Sequence, residues 1–301
     1  MGRNDMEAVK MANSPELTNN DFQKLSQFIY RKWGINLPLH KKDLLAGRLK
    51  KRLHTLSLSS FRDYCQYLFS REGMEQEPMF MVDLITTNKT DFFREGDHFS
   101  YLTQSALPDL MKSFPAMFSR PFKIWSAGCS TGEEPYTLAM VISEFAKAVQ
   151  NVHFSIWATD ISSRVLAQGR MGIYGQERIE PIPLEFRKKY LLRSRNKENP
   201  VVRFTPEIRA KIQFERLNLM EISSQVREQF HVIFCRNVLI YFDRVTQEKI
   251  VNDFFNRLEP GGYLFLGHSE TMTGFSIPLM QMATTVYRKS NETKKTGGES
   301  K

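Results

Sequence analysis

The sequence has few cysteines, no long apolar run and fewer acidic than basic residues. Its three cysteines are Cys65, Cys129 and Cys235, an odd number at wide spacing, which argues against a disulfide framework and leaves no paired spacing for a metal. Every apolar run is short and interrupted by charge, so no segment can span a membrane. The N-terminus has neither the apolar core of a signal peptide nor a myristoylation pattern. These absences predict a cytoplasmic globular protein with no bound metal and no membrane insertion.

Basic residues outnumber acidic ones by 42 to 33, which gives a formal net charge of +9. That charge implies a polyanionic partner, and nucleic acid, an anionic membrane surface and an acidic protein all fit it. The hydrophobic content of 41% is ample for a buried core, and 301 residues are enough for one large or two ordinary domains.

The most informative stretch covers residues 122–137, where an alternating segment leads into Gly128 and Gly132 and then into an apolar helix pattern with Pro135 in its first turn. A strand, glycine loop and helix in this order lets backbone approach a ligand and offers N–H groups at the helix start. Glu133 and Glu134 at that position would repel a pyrophosphate, but one of them can hold an ammonium group. S-adenosylmethionine carries both signs of charge and fits this loop better than a dinucleotide does. The alternative is that both glutamates only complement the helix dipole.

A second strand is predicted over residues 154–160, and it ends in Asp160. An acid at the end of the strand after the glycine loop is where nucleotide-binding folds hold ribose hydroxyls. The alternative is that Asp160 caps a helix that begins near Ser162.

Residues 18–86 predict a small helical domain, preceded by a disordered segment over residues 1–17. Its first helix has Asn19 or Asn20 as the expected cap, and a later helix is expected from Glu77. The helix after Pro38 is the most basic part of the chain, with Lys41, Lys42, Arg48, Lys50, Lys51, Arg52 and His54 around a leucine stripe. Because almost no acid accompanies these residues, we favour an anionic partner over a merely solvated face.

Residues 87–100 follow as a linker with polar groups around two phenylalanines. One interpretation is local: Asn88 or Thr90 caps the next helix, and Arg94 pairs with an acid nearby. The functional interpretation is a lid, in which Arg94 offers a fork to a carboxylate and Asn88 and Thr90 bind a ligand.

Residues 101–289 predict an α/β sheet domain with an insertion at about 174–213, and residues 290–301 predict a disordered tail. The insertion is expected to contain a helix and a short antiparallel hairpin whose strands cover residues 201–204 and 210–214. Further strands are expected at residues 214–219, 231–237, 263–267 and 284–288. Residues 237–243 leave the carboxyl end of a strand, where open α/β sheets place their ligands.

With these elements in order, the chain resembles the chemotaxis receptor methyltransferase (CheR) family from about Leu17 to Ser290. Five motifs carry the resemblance, at residues 88–95, 130–136, 158–162, 234–242 and 267–270. The family implies a class I S-adenosylmethionine methyltransferase, a Rossmann-like sheet with an N-terminal all-helical domain and a small inserted antiparallel β-subdomain. The resemblance implies that the cofactor is bound by Asn88, Thr90, Arg94, Glu133, Asp160, Asn218, Leu219, Arg236 and Asn237, with Tyr241 near the transferred methyl group.

The implied reaction is methyl transfer to glutamate side chains of chemotaxis receptors, giving γ-methyl esters. Arg94 is expected to steer the incoming carboxylate and Tyr241 to orient it, while Arg48, Lys51 and Arg52 dock an acidic helical region of the receptor. Receptor-tethering relatives have a glycine-rich turn in the inserted hairpin, and this chain has residues 194–200 there instead, which counts against docking of a receptor's C-terminal peptide.

Two alternatives to receptor methylation remain open. An RNA methyltransferase is suggested by the net charge, although the basic helix lacks interleaved aromatics. The other is a non-catalytic adaptor that binds S-adenosylmethionine.

Overall fold

The computed structural model describes residues 15–114, 121–149, 152–196, 198 and 200–291. The chain divides into two compact units between Thr87 and Asn88. Of the two termini predicted to be disordered, residues 1–14 and 292–301 lie outside the described part of the chain. Leu17, which falls within the first of them, is only 2% exposed, so that expectation was wrong at this residue.

The first unit is helical, with α1 Asn19–Trp33, α2 Lys42–Thr55, α3 Phe61–Leu68 and α4 Arg71–Ile85. The cap of α1 is Thr18 rather than Asn19 or Asn20, because the Thr18 hydroxyl accepts the Asp21 N–H at 3.1 Å. Helix α4 begins before the predicted Glu77, because Ser70 caps it by accepting the Gly73 N–H. The predicted leucine stripe of α2 is buried at Leu45, Leu49 and Leu53.

The second unit contains a sheet of seven strands in the order β6-β2-β1-β7-β8-β10-β9. These strands are β1 Phe122–Ala127, β2 Phe154–Asp160, β6 Ile212–Arg216, β7 Phe230–Cys235, β8 Leu258–Leu266, β9 Leu279–Ala283 and β10 Val286–Lys289. Strands β6, β2, β1, β7 and β8 are parallel to one another. At one edge β10 pairs antiparallel with β8, and β9 pairs antiparallel with β10. Since all five parallel strands end at the same edge, the loops after them lie together.

The helices of the second unit are α5 Gly96–Tyr101, α6 Leu107–Ser113, α7 Glu133–Val149, α8 Ser163–Met171, α9 Leu184–Tyr190, α10 Pro206–Arg209, α11 Ile222–Gln225 and α12 Arg244–Arg257. Side chains alternate between the two faces of the sheet. Ile124 and Phe234 belong to one buried cluster, and their neighbours Trp125 and Ile233 belong to the other. Both faces are therefore covered, as expected for a largely parallel sheet.

A second, antiparallel sheet of three strands has the order β3-β5-β4, with β3 Ile173–Gly175, β4 Leu191–Arg193 and β5 Val201–Phe204. The predicted pairing of residues 201–204 with 210–214 was wrong. Strand β5 pairs with β3 and β4, whereas residues 212–216 form β6, which runs parallel to β2 in the large sheet. The predicted Rossmann-like sheet with a helical N-terminal unit and a small inserted antiparallel sheet is nevertheless confirmed.

Candidate active site

The loop between β1 and α7 has the tight geometry that its glycines predict. Gly128 and Gly132 have positive φ values of 76° and 102°, which side chains rarely adopt. A Cβ atom at Gly128 would lie 2.4 Å from Cγ2 of Val238, so the backbone needs glycine at this contact. The N–H groups of Gly128 and Cys129 both donate to the Thr159 carbonyl, at 2.7 and 2.8 Å. The loop is thereby fixed to the end of β2 and packed against the segment after β7.

Asp160 holds the same loop through its carboxylate. Oδ2 accepts the Ser130 N–H and Oδ1 accepts the Ser162 N–H, each at 2.9 Å. The cap of α8 is the Ser162 side chain, which accepts the Val165 N–H, so the alternative in which Asp160 caps this helix was wrong. The Ser130 hydroxyl in turn donates to the Asn88 carbonyl at 2.9 Å. Asp160, the glycine loop and the start of the linker therefore lie in one place.

Glu133 and Glu134 begin α7, and each is engaged by an arginine. The Glu133 carboxylate accepts from Arg178 at 2.5 Å and from the Thr131 hydroxyl at 2.6 Å, and the residue is fully buried. Glu134 accepts from the Ser126 hydroxyl at 2.7 Å and from Nε of Arg236 at 2.8 Å. These contacts add to the favourable position of both acids at a helix N-terminus.

Arg178, in the insertion, is a residue that sequence reasoning missed. Besides Glu133, its guanidinium binds the Asp91 carboxylate at 3.0 Å and the Thr90 carbonyl at 2.5 Å. It thus joins the insertion, the linker and α7. No motif marks it, because its partners are 45 or more residues away in the sequence.

The linker segment is bound to the second unit by backbone and aromatic contacts. The Phe93 N–H donates to the Thr137 hydroxyl at 3.3 Å, and the fully buried Phe92 ring packs edge-on against Tyr174 at 5.0 Å. Helix α5 begins at Gly96 with no side-chain cap, so the alternative in which Asn88 or Thr90 caps it was wrong. Arg94 donates to the Lys89 carbonyl at 3.2 Å.

Arg236 follows β7 and is buried, with 3% of its side chain exposed. Besides Glu134, its guanidinium donates to the Arg94 carbonyl at 2.8 Å and contacts Nδ1 of His98 at 3.0 Å. Burial and the positive charge of Arg236 lower the pKa of His98 to about 4. The side chain expected to bind cofactor is therefore committed to internal partners and holds the linker against the end of β7.

Asn237 and Tyr241 lie on the segment after β7. Asn237 has a left-handed backbone with φ of 59°, and its Nδ2 donates to the Glu95 carboxylate at 3.1 Å. Tyr241 ends a short 3-10 helix, Leu239–Tyr241, and is half-buried. Among the described residues, its hydroxyl has no hydrogen-bond partner. The Glu270 carboxylate accepts the backbone N–H groups of Asn237, Val238 and Leu239, a role that the sequence did not reveal.

Asn218 and Leu219 lie in the loop after β6 and are both nearly buried. The Asn218 amide accepts the Met220 N–H at 3.2 Å and donates to Glu221 at 3.3 Å. The neighbouring Leu217 N–H donates to the Asp160 carbonyl at 3.0 Å, which brings this loop beside the end of β2.

Within the described residues, the one group of acids and histidines spaced for a metal is Glu95, His98 and His268. Nδ1 of His98 faces the guanidinium of Arg236 at 3.0 Å, and its Nε2 lies 2.9 Å from the Thr285 hydroxyl. Because both ring nitrogens are engaged and a cation is adjacent, the geometry disfavours a metal here.

The predicted docking residues lie on α2 in the first unit, and two of the three have internal partners. Arg52 donates to the fully buried Glu77 carboxylate, with NH2 to Oε2 at 2.6 Å. Arg48 donates to the Ile85 carbonyl and to the Thr87 hydroxyl. Lys51 is exposed. Docking by Arg48, Lys51 and Arg52 stays a prediction. The charge of Arg52 is paired internally with Glu77, whereas Ile85 and Thr87 offer Arg48 neutral acceptors.

A largely parallel sheet with a glycine loop after its first strand, an acid at the end of its second and polar groups after β7 fits a Rossmann-like, S-adenosylmethionine-dependent methyltransferase. The family profiles agree with this class. The profile described as "CheR methyltransferase, SAM binding domain" matches residues 88–288, and "CheR methyltransferase, all-alpha domain" matches residues 20–86. The chain belongs to the CheR methyltransferase family.

Similar proteins include several chemotaxis protein methyltransferases. The protein of this name from Borreliella burgdorferi is 38% identical over 86% of this chain and 90% of its own length. The one from Klebsiella aerogenes is 36% identical over 94% of each chain. Chemotaxis protein methyltransferase 2 from Pseudomonas aeruginosa is 38% identical over 90% of this chain and 93% of its own. Across the described residues, none of the helices combines the length and the apolar character that crossing a bilayer needs.

Proposed function

We propose that this methyltransferase transfers a methyl group from S-adenosylmethionine to glutamate side chains of chemotaxis receptors, which gives γ-methyl esters. The observation that carries the proposal is the meeting of the linker, the glycine loop and the segment after β7 at one edge of the sheet. Arg94 and Tyr241, a cation and a hydroxyl suited to a carboxylate, both belong to these segments. The names of the similar proteins support a chemotaxis role.

The residues present fit the cofactor. The buried carboxylate of Asp160 lies at the end of β2, where it can accept from ribose hydroxyls while it holds Ser130. Glu133 is a buried acid whose oxygens already accept from Arg178 and from the Thr131 hydroxyl, so an ammonium group of the cofactor would share this carboxylate with Arg178. Asn88, Thr90, Arg94, Asn218, Leu219 and Asn237 complete the proposed set. Since the guanidinium of Arg236 is committed to internal partners, we assign it to holding the site rather than to cofactor contact through its side chain.

The bound cofactor supplies an electrophilic methyl group on a sulfonium. The nucleophile needs no general base, because a glutamate with a pKa near about 4.3 is already ionised at neutral pH. The chain's own residues therefore act by alignment. Among the described residues, Arg94 forms no ion pair with a carboxylate, so its charge is available to steer the substrate, and the Tyr241 hydroxyl is available to orient it. A very strong pairing with Arg94 would make the nucleophile weaker, so its contact serves position more than charge.

The substrate region we propose is an acidic helical part of the receptor in the cytoplasm. Lys51 and the neighbouring exposed Lys50 on α2 offer positive charge to it. We also propose the domain limits given above, with residues 18–86 as the docking domain, 87–100 as the lid and 101–289 as the methyltransferase domain. The tether to a receptor's C-terminal peptide is not part of the proposal.

The test is incubation with labelled S-adenosylmethionine and receptor-rich membranes, followed by treatment with base. Release of volatile labelled methanol is the expected result, since a glutamyl methyl ester is base-labile. Tyr241→Phe and Arg94→Ala are the matched variants and should reduce the rate. Label that enters RNA instead, or cofactor binding without turnover on any substrate, would overturn the proposal in favour of an RNA enzyme or an adaptor.

A further inference from the structure

The segment that carries Asn237 and Tyr241 has an uncommon backbone. Asn237 is left-handed, with φ of 59°, and Val238 follows with φ of −117° and ψ of −41°. Successive residues of this kind turn their N–H groups toward one point and form an anion-binding nest. A left-handed residue other than glycine persists only where its surroundings hold it.

Glu270 fills that nest from the loop after β8. Its Oε1 accepts the N–H groups of Val238 and Leu239 at 2.9 and 2.7 Å, and its Oε2 accepts those of Asn237 and Gly267 at 2.9 and 2.6 Å. Glu270 is 5% exposed, so these bonds are protected from water. Burial raises the pKa of Glu270, and the four N–H donors oppose that rise.

The segment held by Glu270 contacts the other parts of the site. Asn237 binds the Glu95 carboxylate at the end of the linker, and Val238 lies against Gly128 so closely that a Cβ there would be 2.4 Å from Cγ2. Movement of this segment would therefore disturb the linker, the glycine loop and Tyr241 together.

We infer that Glu270 is a positioning residue for methyl transfer, which fixes the segment bearing Asn237 and Tyr241 by binding its backbone. It touches neither substrate nor cofactor and acts through that backbone. The inference rests on the proposed function for the roles of Asn237 and Tyr241. It assigns to Glu270 a contribution to turnover that a residue needed only for folding would not have.

Glu270→Gln is the main variant, because it keeps the shape of the side chain and replaces one acceptor oxygen with an NH2 group. In either orientation of the amide, that NH2 faces two backbone N–H groups, so these two donors lose their acceptor. Misplacement of a reacting group by about 1 Å costs on the order of a hundredfold in rate, so we expect kcat to fall about 10- to 100-fold. KM for the receptor should stay within about twofold, since docking charges lie on α2, and S-adenosylhomocysteine should bind more weakly through Asn237.

Gly267→Ala is the second variant and keeps the charge of Glu270. A Cβ at Gly267 would lie 2.7 Å from Nδ2 and 2.8 Å from N of Asn237, so it would displace the same segment and should lower kcat in the same way. Asp109→Asn is the control for lost stability, because it weakens the contacts of Asp109 with Tyr263 and Arg288 elsewhere in the unit. Its kcat should match the parent at temperatures below unfolding.

All rates are measured below the unfolding transition of each variant, which calorimetry determines. If Glu270→Gln lowers only the unfolding temperature and both variants keep kcat and cofactor affinity within twofold of the parent, Glu270 is a folding residue and the inference is wrong. If Glu270→Gln does not fold, the result for Gly267→Ala decides. If the parent forms no base-labile ester, the proposed function fails separately, and the affinity of both variants for S-adenosylhomocysteine still tests the role of Glu270.

Discussion

Arg52 and Lys51 are neighbours on the basic helix α2, and we expect opposite consequences when each is changed. Arg52 has 14% of its side chain exposed and binds Glu77, whose side chain is fully buried. Three contacts of 2.6 to 3.1 Å join the guanidinium to that carboxylate, and the Tyr64 hydroxyl donates to it at 2.8 Å. This hydrogen bonding raises the pKa of Arg52 further above its ordinary value. Arg52→Met would leave a buried carboxylate with a hydroxyl as its remaining partner.

Removal of one partner from a buried ion pair costs about 3–5 kcal/mol, because the other charge stays buried without compensation. Arg52 also lies over the Phe80 ring at 4.0 Å, and methionine retains part of that packing. We therefore expect Arg52→Met to destabilise the first unit by at least about 3 kcal/mol. In the double variant Arg52→Met/Glu77→Gln, most of the lost stability should be recovered, since no buried charge remains.

Native-state hydrogen exchange of the full chain measures this free energy for amides of α3 and α4, which report on the first unit alone. Lys51→Glu should leave that exchange unchanged and should slow receptor methylation several-fold at low salt, because it places like charge against an acidic partner. If the free energy measured by hydrogen exchange in Arg52→Met lies within about 1 kcal/mol of the value for the parent, the structural role of Arg52 is refuted. A Lys51→Glu protein that methylates receptors like the parent at low salt would remove Lys51 from the docking surface.

Three further predictions concern the second unit. Asp160→Asn should weaken binding of S-adenosylhomocysteine by roughly 1.5–3 kcal/mol through loss of a charged acceptor, and unchanged affinity by calorimetry would contradict the ribose role. The single-turnover methylation rate should stay flat from about pH 6.5 to 8.5 because the substrate glutamate is ionised throughout, and a bell-shaped profile would implicate a titrating base. Burial lowers the pKa of His231 from 6.5 to about 4, so the unfolded chain binds the extra proton between these values and stability is lost as pH falls. His231→Asn keeps an acceptor for the Lys123 N–H and should reduce that loss by about 3 kcal/mol, whereas an equal pH dependence of denaturant unfolding would contradict the buried neutral histidine.

Local patterns predicted the central part of the fold well. The alternation of residues 122–127 and the glycines after it specify a strand and a tight turn by themselves, and the structure has β1 and a loop with positive φ values there. The position of Asp160 at the end of β2 follows in the same way from the strand pattern of residues 154–160. Such features depend on backbone conformation, which nearby residues largely determine.

Pairing between distant segments was less predictable. Residues 212–214 lie in β6, and their short alternating pattern fits a strand of either the insertion or the large sheet. The pairing of β6 with β2 decides between these two positions. Likewise, helical periodicity placed Arg52 on the surface of α2 beside Lys51, but Glu77, which neutralises it, lies 25 residues further along the chain. The contacts of Arg178 with Glu133 and of Glu270 with Asn237 each join residues more than 30 positions apart. Arg178 lies in no motif, and the motif at residues 267–270 contains Glu270 without the segment that it binds.

The roles of the arginines follow more from whether an internal carboxylate neutralises each guanidinium than from the motifs in which the arginines lie. Arg236 and Arg94 both belong to motifs of the family, but Arg236 is buried against Glu134, whereas Arg94 donates to the neutral Lys89 carbonyl. A buried and neutralised guanidinium cannot attract an incoming anion without leaving Glu134 unpaired. A guanidinium bound only to a neutral carbonyl retains its full charge for a substrate carboxylate. Replacement of Arg94 should therefore slow methyl transfer while the protein stays folded. Replacement of Arg236 should first loosen the linker from the end of β7.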